Sequence, residues 1–336
     1  MADIQIAVDF GGTYTSIFKK GDGLVLKEPT LIAALQTDGG LQIKALGTKA
    51  KEIQGKTDNR TIVFSPIVNG QIKSKEYASL LLKYFLEKIL TKKGVFFKIK
   101  CLVPCPVGFS EEQKEEYRAV FLGAGVGEVV FIPKILCSAY GGDVNIFANN
   151  AYMVVDGGGV STDIGVINMG AIIEGATLGL GARTIDNELV KLVALKYNVQ
   201  IGLATAQKIK EEIGSLYNND TANMEVSGMD TRTKAPASVV VYASDVKMAI
   251  VPLLTEVIRI METTLNILPP EISADVAKNG IVLTGGLASI SGIEKYLRKE
   301  LNLAVSVADE SSNACILGAG KLLSNIKELK QVLSEI

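Results

Sequence analysis

Two stretches of the chain carry the same order of apolar and polar positions. Ile4 to Val8 is an apolar run that stops at Asp9 and a glycine pair, after which Ile17-Phe18 opens a second run. Tyr152 to Val155 stops in the same way at Asp156 and three glycines, followed by Ile164 to Ile167. Short apolar runs bounded by glycine predict a strand, a tight turn and a second strand. Aligned, Asp9-Phe10-Gly11-Gly12-Thr13-Tyr14-Thr15-Ser16-Ile17 and Asp156-Gly157-Gly158-Gly159-Val160-Ser161-Thr162-Asp163-Ile164 share D-x-G-G-x-x-T-x-I, 147 positions apart. An internal repeat implies duplicated structural units, here each about half of the chain.

The remaining pattern fills in both units. Leu24 to Ala34 predicts a strand broken at Pro29, and residues from about 35 to 72 are polar and turn-rich, as a small insertion would be. Ser74 to Lys92 sets Tyr77, Leu80, Leu81, Tyr84 and Ile89 at helical spacing. Val95 to Val103 predicts a strand, Ser110-Glu111-Glu112-Gln113 a capping box that starts a helix to about Leu122, Val129 to Ile132 a strand, and Ile135 to Tyr140 a helix ending at Gly141-Gly142. In the second half, strands run to about Thr177, helices from Ile185 to Tyr197 and Thr205 to Leu216, and two short strands across 223 to 242. Ser244 is placed to cap a long helix reaching Leu268 and ended by Pro269-Pro270. Gly280 to Leu283 predicts a buried strand running into Thr284-Gly285-Gly286, with two helices after it.

Composition narrows the chemistry. With 336 residues, 48% hydrophobic and 21% charged, two domains with cores of their own are possible. Lys plus Arg of 35 against Asp plus Glu of 36 gives a net charge of -1, no footprint for nucleic acid. Histidine is absent, which removes His-based triads and the usual metal ligand. The four cysteines, Cys101, Cys105, Cys137 and Cys315, have no C-x-x-C spacing and read as buried thiols. Neither a basic leader nor an apolar stretch of about 18 residues is present, so a cytoplasmic location is expected.

The repeated turns point to phosphate. Glycine lets a backbone approach a ligand closely, and successive turn amides can aim at phosphate oxygens. A carboxylate at each strand end, Asp9 and Asp156, is then suited to holding a hydrated Mg²⁺. Gly55-Lys56-Thr57 mimics the end of a P-loop, but its first glycine would fall at Ala50 and no strand-to-helix context surrounds it.

Further segments join these motifs. Gly181-Ala182-Arg183-Thr184-Ile185-Asp186, Ala206 to Gly214 (AQKIKEEIG), Pro269-Pro270-Glu271, Ile281-Val282-Leu283-Thr284-Gly285-Gly286 and Gly318-Ala319-Gly320 lie in the order found in the superfamily of actin, hexokinase and the heat-shock chaperone ATPases. Within it the chain resembles the bacterial actin MreB family over essentially its whole length. The resemblance implies an α/β fold of the actin-like ATPase type, with two duplicated ribonuclease H-like domains around a nucleotide cleft. It implies domains at 1–142, with a small insertion at about 35–72, and at 143–336, with an insertion at about 186–245.

It also implies ATP or ADP with Mg²⁺ as ligands. The contacts would come from Asp9, Gly11, Gly12, Thr13, Tyr14, Asp156, Gly157, Gly158, Gly159 and Gly181, from Lys208, Lys210 and Glu211 beside the base, and from Gly285, Gly286 and Leu287 beneath it. Asp9 and Asp156 would hold the metal through water. AQKIKEEIG is otherwise a solvated helix face, and Gly318-Ala319-Gly320 reads equally as close helix packing.

The chain departs from that family where water would be activated. At Lys134 the family carries a glutamate that positions the attacking water, and a charged lysine cannot accept a proton from it. Ser161 stands for a threonine beside Thr162, Val160 for a glycine and Leu287 for another. The resemblance thus implies a filament former with slow ATP hydrolysis that supports cell shape or helicity. Lys, Ile and Asn richness, together with Lys134, is similar to paralogues from wall-less helical bacteria. Its implied partners are further copies in paired protofilaments, MreB paralogues, and the anionic inner leaflet of the membrane.

Phe96 and Phe97, flanked by Lys92, Lys93, Lys98 and Lys100, suit such a surface, or else pack under their strand. Rival readings are a small-molecule kinase of the same superfold and a plasmid- or organelle-positioning filament. A chaperone ATPase is disfavoured by the few residues after Gly320.

Overall fold

A computed structural model describes residues 3–56, 60–68, 70–90 and 98–334. Phe96 and Phe97 lie outside the described residues.

Strands β1 (Asp3–Phe10), β2 (Tyr14–Lys19) and β3 (Gly23–Pro29) form an antiparallel meander. The chain then leaves for a small sheet made of β4 (Ile32–Thr37), β5 (Gly40–Leu46) and, after helix α1 (Thr48–Ile53), β6 (Thr61–Phe64). A ribbon of β7 (Ile67–Val68) and β8 (Gln71–Ile72) leads to α2 (Lys75–Ile89), β9 (Lys98–Cys105), α3 (Glu111–Gly123), β10 (Glu128–Pro133) and α4 (Lys134–Gly141). Because β9 and β10 join β1 in parallel, the first large sheet has the order β10-β9-β1-β2-β3.

The second half repeats the plan. A meander of β11 (Tyr152–Gly157), β12 (Thr162–Asn168) and β13 (Ala171–Leu178) precedes α5 (Ala182–Tyr197), β14 (Val199–Gln200), α6 (Leu203–Ile213), β15 (Asn223–Asp230) and β16 (Pro236–Tyr242). Then follow α7 (Ala243–Asn266), α8 (Pro270–Asn279), β17 (Ile281–Thr284), α9 (Ile293–Leu301), β18 (Val305–Val307), α10 (Ala314–Ser324) and α11 (Ile326–Ser334). The sheet order is β13-β12-β11-β17-β18, with the same alternation of antiparallel and parallel neighbours as the first. The α/β duplication expected from the repeat is therefore present as two sheets of one topology.

Strand parity decides what each sheet shows to the other. Ile6, Val8 and Phe10 of β1 face a core shared with α2 and α3, and Met153 and Val155 of β11 face one shared with α5 and α7. The alternate positions, Ala7 and Val154, face a third core between the sheets, built from Ile135, Leu136 and Ala139 of α4 and Ile316 and Ala319 of α10. Strands buried on both faces need continuous apolar runs, which is why the runs rather than an alternation marked them. At this parity Asp9 and Asp156, two residues on from Ala7 and Val154, point into the same space between the sheets.

Helices α4 and α10 cross there at contact distance. A Cβ on Gly141 would lie 1.8 Å from the Ala314 carbonyl oxygen, and one on Gly318 1.8 Å from that of Cys137. Gly318 is thus a packing glycine.

Several boundaries differ from expectation. Helix α7 is entered from Tyr242, not capped by Ser244, because the Asp245 carboxylate accepts the Tyr242 amide at 3.1 Å. Pro270 does not close a helix but opens α8 at its first position, where a missing N–H costs nothing. The helix expected from Thr205 to Leu216 starts at Leu203 and stops at Ile213, since Ser215 instead bridges to Ser291. The strand from Leu24 to Ala34 divides between two sheets, and the tail after Gly286 holds β18 in addition to helices. Helix α11 sets Leu329 and Val332 against the core shared by α10 and α4, and is also tied to α4 through Tyr140, whose hydroxyl donates to Glu328 at 2.6 Å.

Candidate functional site

The two repeated turns meet across a cleft of about 680 Å³ between the sheets. Each is closed by the same bond: the Gly11 amide donates to the Tyr14 carbonyl at 3.2 Å, and the Gly158 amide to the Ser161 carbonyl at 2.8 Å. The tips are nearly in contact. A Cβ on Gly12 would lie 3.0 Å from the Val160 side chain, and one on Gly159 2.1 Å from Thr13 Oγ1. Thr13 Oγ1 is buried and has no hydrogen-bond partner among the described residues. The second turn is held from below, where the amides of Ala182 and Arg183 at the start of α5 donate to the Gly158 and Gly159 carbonyls at 3.0 and 2.8 Å.

Charge is concentrated at the cleft floor. Asp156, almost fully buried, accepts the Thr284 hydroxyl on Oδ1 at 3.1 Å and faces Lys134 Nζ with Oδ2 at 3.0 Å. Asp163, its cross-strand partner, accepts the Thr177 hydroxyl at 2.5 Å and the Val107 amide at 3.3 Å. Burial pushes the Asp9 and Asp163 carboxyls up from the usual range, against the pull of the Lys134 charge. For Lys134 burial alone would lower the pKa, but Asp156 and Asp9 outweigh it and hold the ammonium well above its ordinary value. Cys315 lines the cleft with Asp9 and favours its charged form, so one of the four buried cysteines touches the site after all.

Of the residues expected here, Asp9, Gly11, Gly12, Thr13, Tyr14, Lys134, Asp156, Gly158, Gly159, Ser161, Lys210, Glu211, Gly285, Gly286 and Leu287 line the cleft. Gly286 leaves open space where a side chain would be, while Gly285, at φ +78°, passes so close that a Cβ would meet Asp156 Oδ1. Others lie elsewhere, each for a visible reason. Gly157 is covered by the Leu287 side chain, and Gly181 packs against the Gly158–Val160 backbone. Thr162 turns away to donate to the Leu180 carbonyl at 2.9 Å, and Lys208 points to solvent beside Glu212 at 3.6 Å. Lys210 does line the wall, but its ammonium is held by Asp186 Oδ1 at 2.6 Å and the Ala182 carbonyl at 3.1 Å.

Sequence reasoning missed the lysines that converge from distant segments. Lys51 on α1 donates to the Tyr14 hydroxyl at 3.2 Å and to Gln207 Oε1 on α6 at 3.1 Å, joining the two small subdomains over the cleft mouth. Lys27 donates to Asn313 Oδ1 at 2.7 Å and lies near Asp9. No local signal marks either, because their partners are far away in sequence. Asp163 was visible in the second repeat, where the first has Ser16.

A hydrated Mg²⁺ fits this donor set poorly. Among the described residues no three His, Cys, Asp or Glu converge on a point; Asp156 Oδ1 accepts the Thr284 hydroxyl, and Oδ2, which makes no hydrogen bond, has the Lys134 ammonium 3.0 Å away as its counter-charge. The expected metal pair Asp9 and Asp156 is thus brought together, but with a lysine at it.

Comparison with known proteins is consistent along the whole chain. The family model described as MreB/Mbl protein matches residues 3–331. The chain belongs to the MreB/Mbl family. The cell shape-determining protein Mbl of Bacillus cereus is 31% identical over 329 residues, covering 97% of each chain. Among solved structures, MreB5 of Spiroplasma citri bound to AMPPNP matches with a TM-score of 0.92 at 27% identity, covering 100% of both chains. The MamK double helical filament matches at 0.80 with 20% identity over 96% of this chain and 98% of that one, a likeness of fold. The MreB/Mbl family and its actin-like fold are those that the sequence motifs implied.

Proposed function

We propose that the chain binds ATP and ADP in the cleft between its lobes, polymerises head to tail in paired protofilaments, and supports cell shape or helicity while hydrolysing ATP slowly. The observation that carries the nucleotide reading is the pair of equivalent turns facing one another, with Thr13 Oγ1 buried and unpaired between them. Their amides are suited to cradle phosphate oxygens, and the unobstructed backbone at Gly286 suits a flat base or ribose. The AMPPNP held by the Spiroplasma citri relative supports the same ligand class here.

Slow hydrolysis follows from the charge at position 134. A lysine ammonium paired with Asp156 donates hydrogen bonds and accepts no proton, so it orients phosphate oxygens rather than activating water. Asp163 does not replace the missing base, since Thr177 and the Val107 amide occupy Oδ1 and no part of it lines the cleft. The proposed lobes, 1–142 and 143–336, are joined by α4 and α10, whose glycine crossing is the natural pivot for opening and closing. Mg²⁺ is expected from the family resemblance alone, and no step is assigned to it.

Self-assembly rests on the family and on the cell-shape role named for the Bacillus cereus relative. Copolymers with MreB paralogues, and an anionic inner leaflet met by Phe96 and Phe97, are proposals from sequence. No helix among the described residues is long and apolar enough to cross a membrane.

Titration with a fluorescent ATP analogue tests the site. In Gly158→Val the new side chain would press on the Ser161 carbonyl, 2.9 Å from the Cβ, so affinity should fall at least about tenfold while the fold persists. Unchanged affinity in the folded variant would refute the clamp.

A further inference from the structure

We infer that the Lys134 ammonium is itself the cation of the phosphate site, so that this chain holds a nucleoside di- or triphosphate without a divalent metal ion. The inference rests on the reading of the cleft as a nucleotide site and concerns what neutralises the ligand there.

Parity turns Asp9 and Asp156 toward the cleft between the sheets, where carboxylates can support a hydrated metal ion, while Asp163 is buried beside Asp156 and does not line the cleft. Lys134 is the first residue of α4, and its side chain reaches into that space to stand 3.0 Å from Asp156 Oδ2. The other Asp156 oxygen is engaged by Thr284, which fixes the carboxylate in the orientation that meets the lysine. The ammonium also borders the ligand: a Cβ on Gly158 would lie 3.8 Å from it, so it flanks the turn whose amides point to phosphate. Lys27 stands in the same wall near Asp9.

Two cations cannot share this floor cheaply. A metal ion taking the Asp156 oxygens through water must displace an ammonium already paired there, and the displaced charge stays beside it. An ammonium that is part of the chain carries one charge at no cost in free ion, and it donates hydrogen bonds to phosphate oxygens directly. A neutral side chain at this position would leave the acidic floor unbalanced and make a metal ion necessary.

The experiment is an equilibrium titration of the purified full chain with a fluorescent ATP analogue, in excess EDTA and in millimolar Mg²⁺. Thermal unfolding in both buffers supplies a second readout, because a ligand that binds the folded state raises the midpoint. For the wild-type chain the two dissociation constants should agree within about threefold, and ATP should raise the midpoint in EDTA. Lys134→Gln and Lys134→Met should lose at least about tenfold in EDTA and regain affinity with Mg²⁺, while Lys134→Arg should bind in both.

Wild-type affinity that falls tenfold or more in EDTA would overturn the inference and leave the nucleotide site standing. Absence of binding in both buffers would overturn the inference and the nucleotide reading together. The wild-type comparison decides by itself even if a substituted chain fails to fold.

Discussion

At the residue scale a single charge, that of Lys134, sets the chemistry of the cleft. A side chain that accepts a proton from water and orients it commonly contributes about 10²–10⁴-fold to such a hydrolysis, and Lys134 supplies neither function. Lys134→Glu is therefore expected to raise phosphate release at least about tenfold under identical polymerising conditions. A wild-type rate equal to that of a glutamate-bearing relative would show that the lysine is not the deficiency. This substitution was legible in the sequence because the resemblance to the family fixed its place. Its ion pair with Asp156 was not, since position 134 meets position 156 only through the packing of two sheets. Lys208 shows the converse error: its helix was placed correctly beside the cleft, but helical phase sends Lys210 inward and Lys208 outward.

At the element scale, the two connecting helices and the start of α7 make separable predictions. Gly318→Val would drive a Cβ into the Cys137 carbonyl, which no side-chain rotation can relieve, and should cost about 3 kcal/mol of stability. Denaturant unfolding measures this, and a loss well under 1 kcal/mol would mean that the crossing is looser than described. The sequence offered Gly318-Ala319-Gly320 as the family's second connecting helix and equally as close helix packing, and Gly318 sits on α10 at its crossing with α4.

At α7, Asp245 is buried and accepts hydrogen bonds from Lys196 and Tyr197, each at 2.5 Å, and from the Tyr242 amide. Burial raises its pKa, but these bonds outweigh it and hold the carboxyl below its ordinary 3.8. A depressed carboxyl stabilises the fold above its unfolded value and loses that contribution as pH falls through the folded one. Asp245→Asn should thus cost about 1–3 kcal/mol at neutral pH, and the gap to wild type should shrink below about pH 4. A gap independent of pH would assign the effect to packing instead. Ser244 looked like the cap because serine commonly is one; the acid after it wins by reaching back to the Tyr242 amide.

At the scale of the whole molecule, the repeat made the architecture readable. Two turns in register require two equivalent strand pairs, and the parallel additions of β9 with β10 and of β17 with β18 complete equivalent sheets. What could not be read was anything built by contact between halves: the Lys51 bridge to Gln207, the docking of α11 on α4, and the meeting of the hairpin tips. The bridge spans the cleft mouth from α1 to α6.

Filament formation separates this reading from a small-molecule kinase of the same superfold. High-speed sedimentation of the purified chain, with pellets inspected by electron microscopy, tests it most directly. ATP should drive wild-type protein into the pellet as filaments and leave Gly158→Val in the supernatant. Wild-type protein that binds ATP yet stays in the supernatant across the accessible concentration range would contradict it.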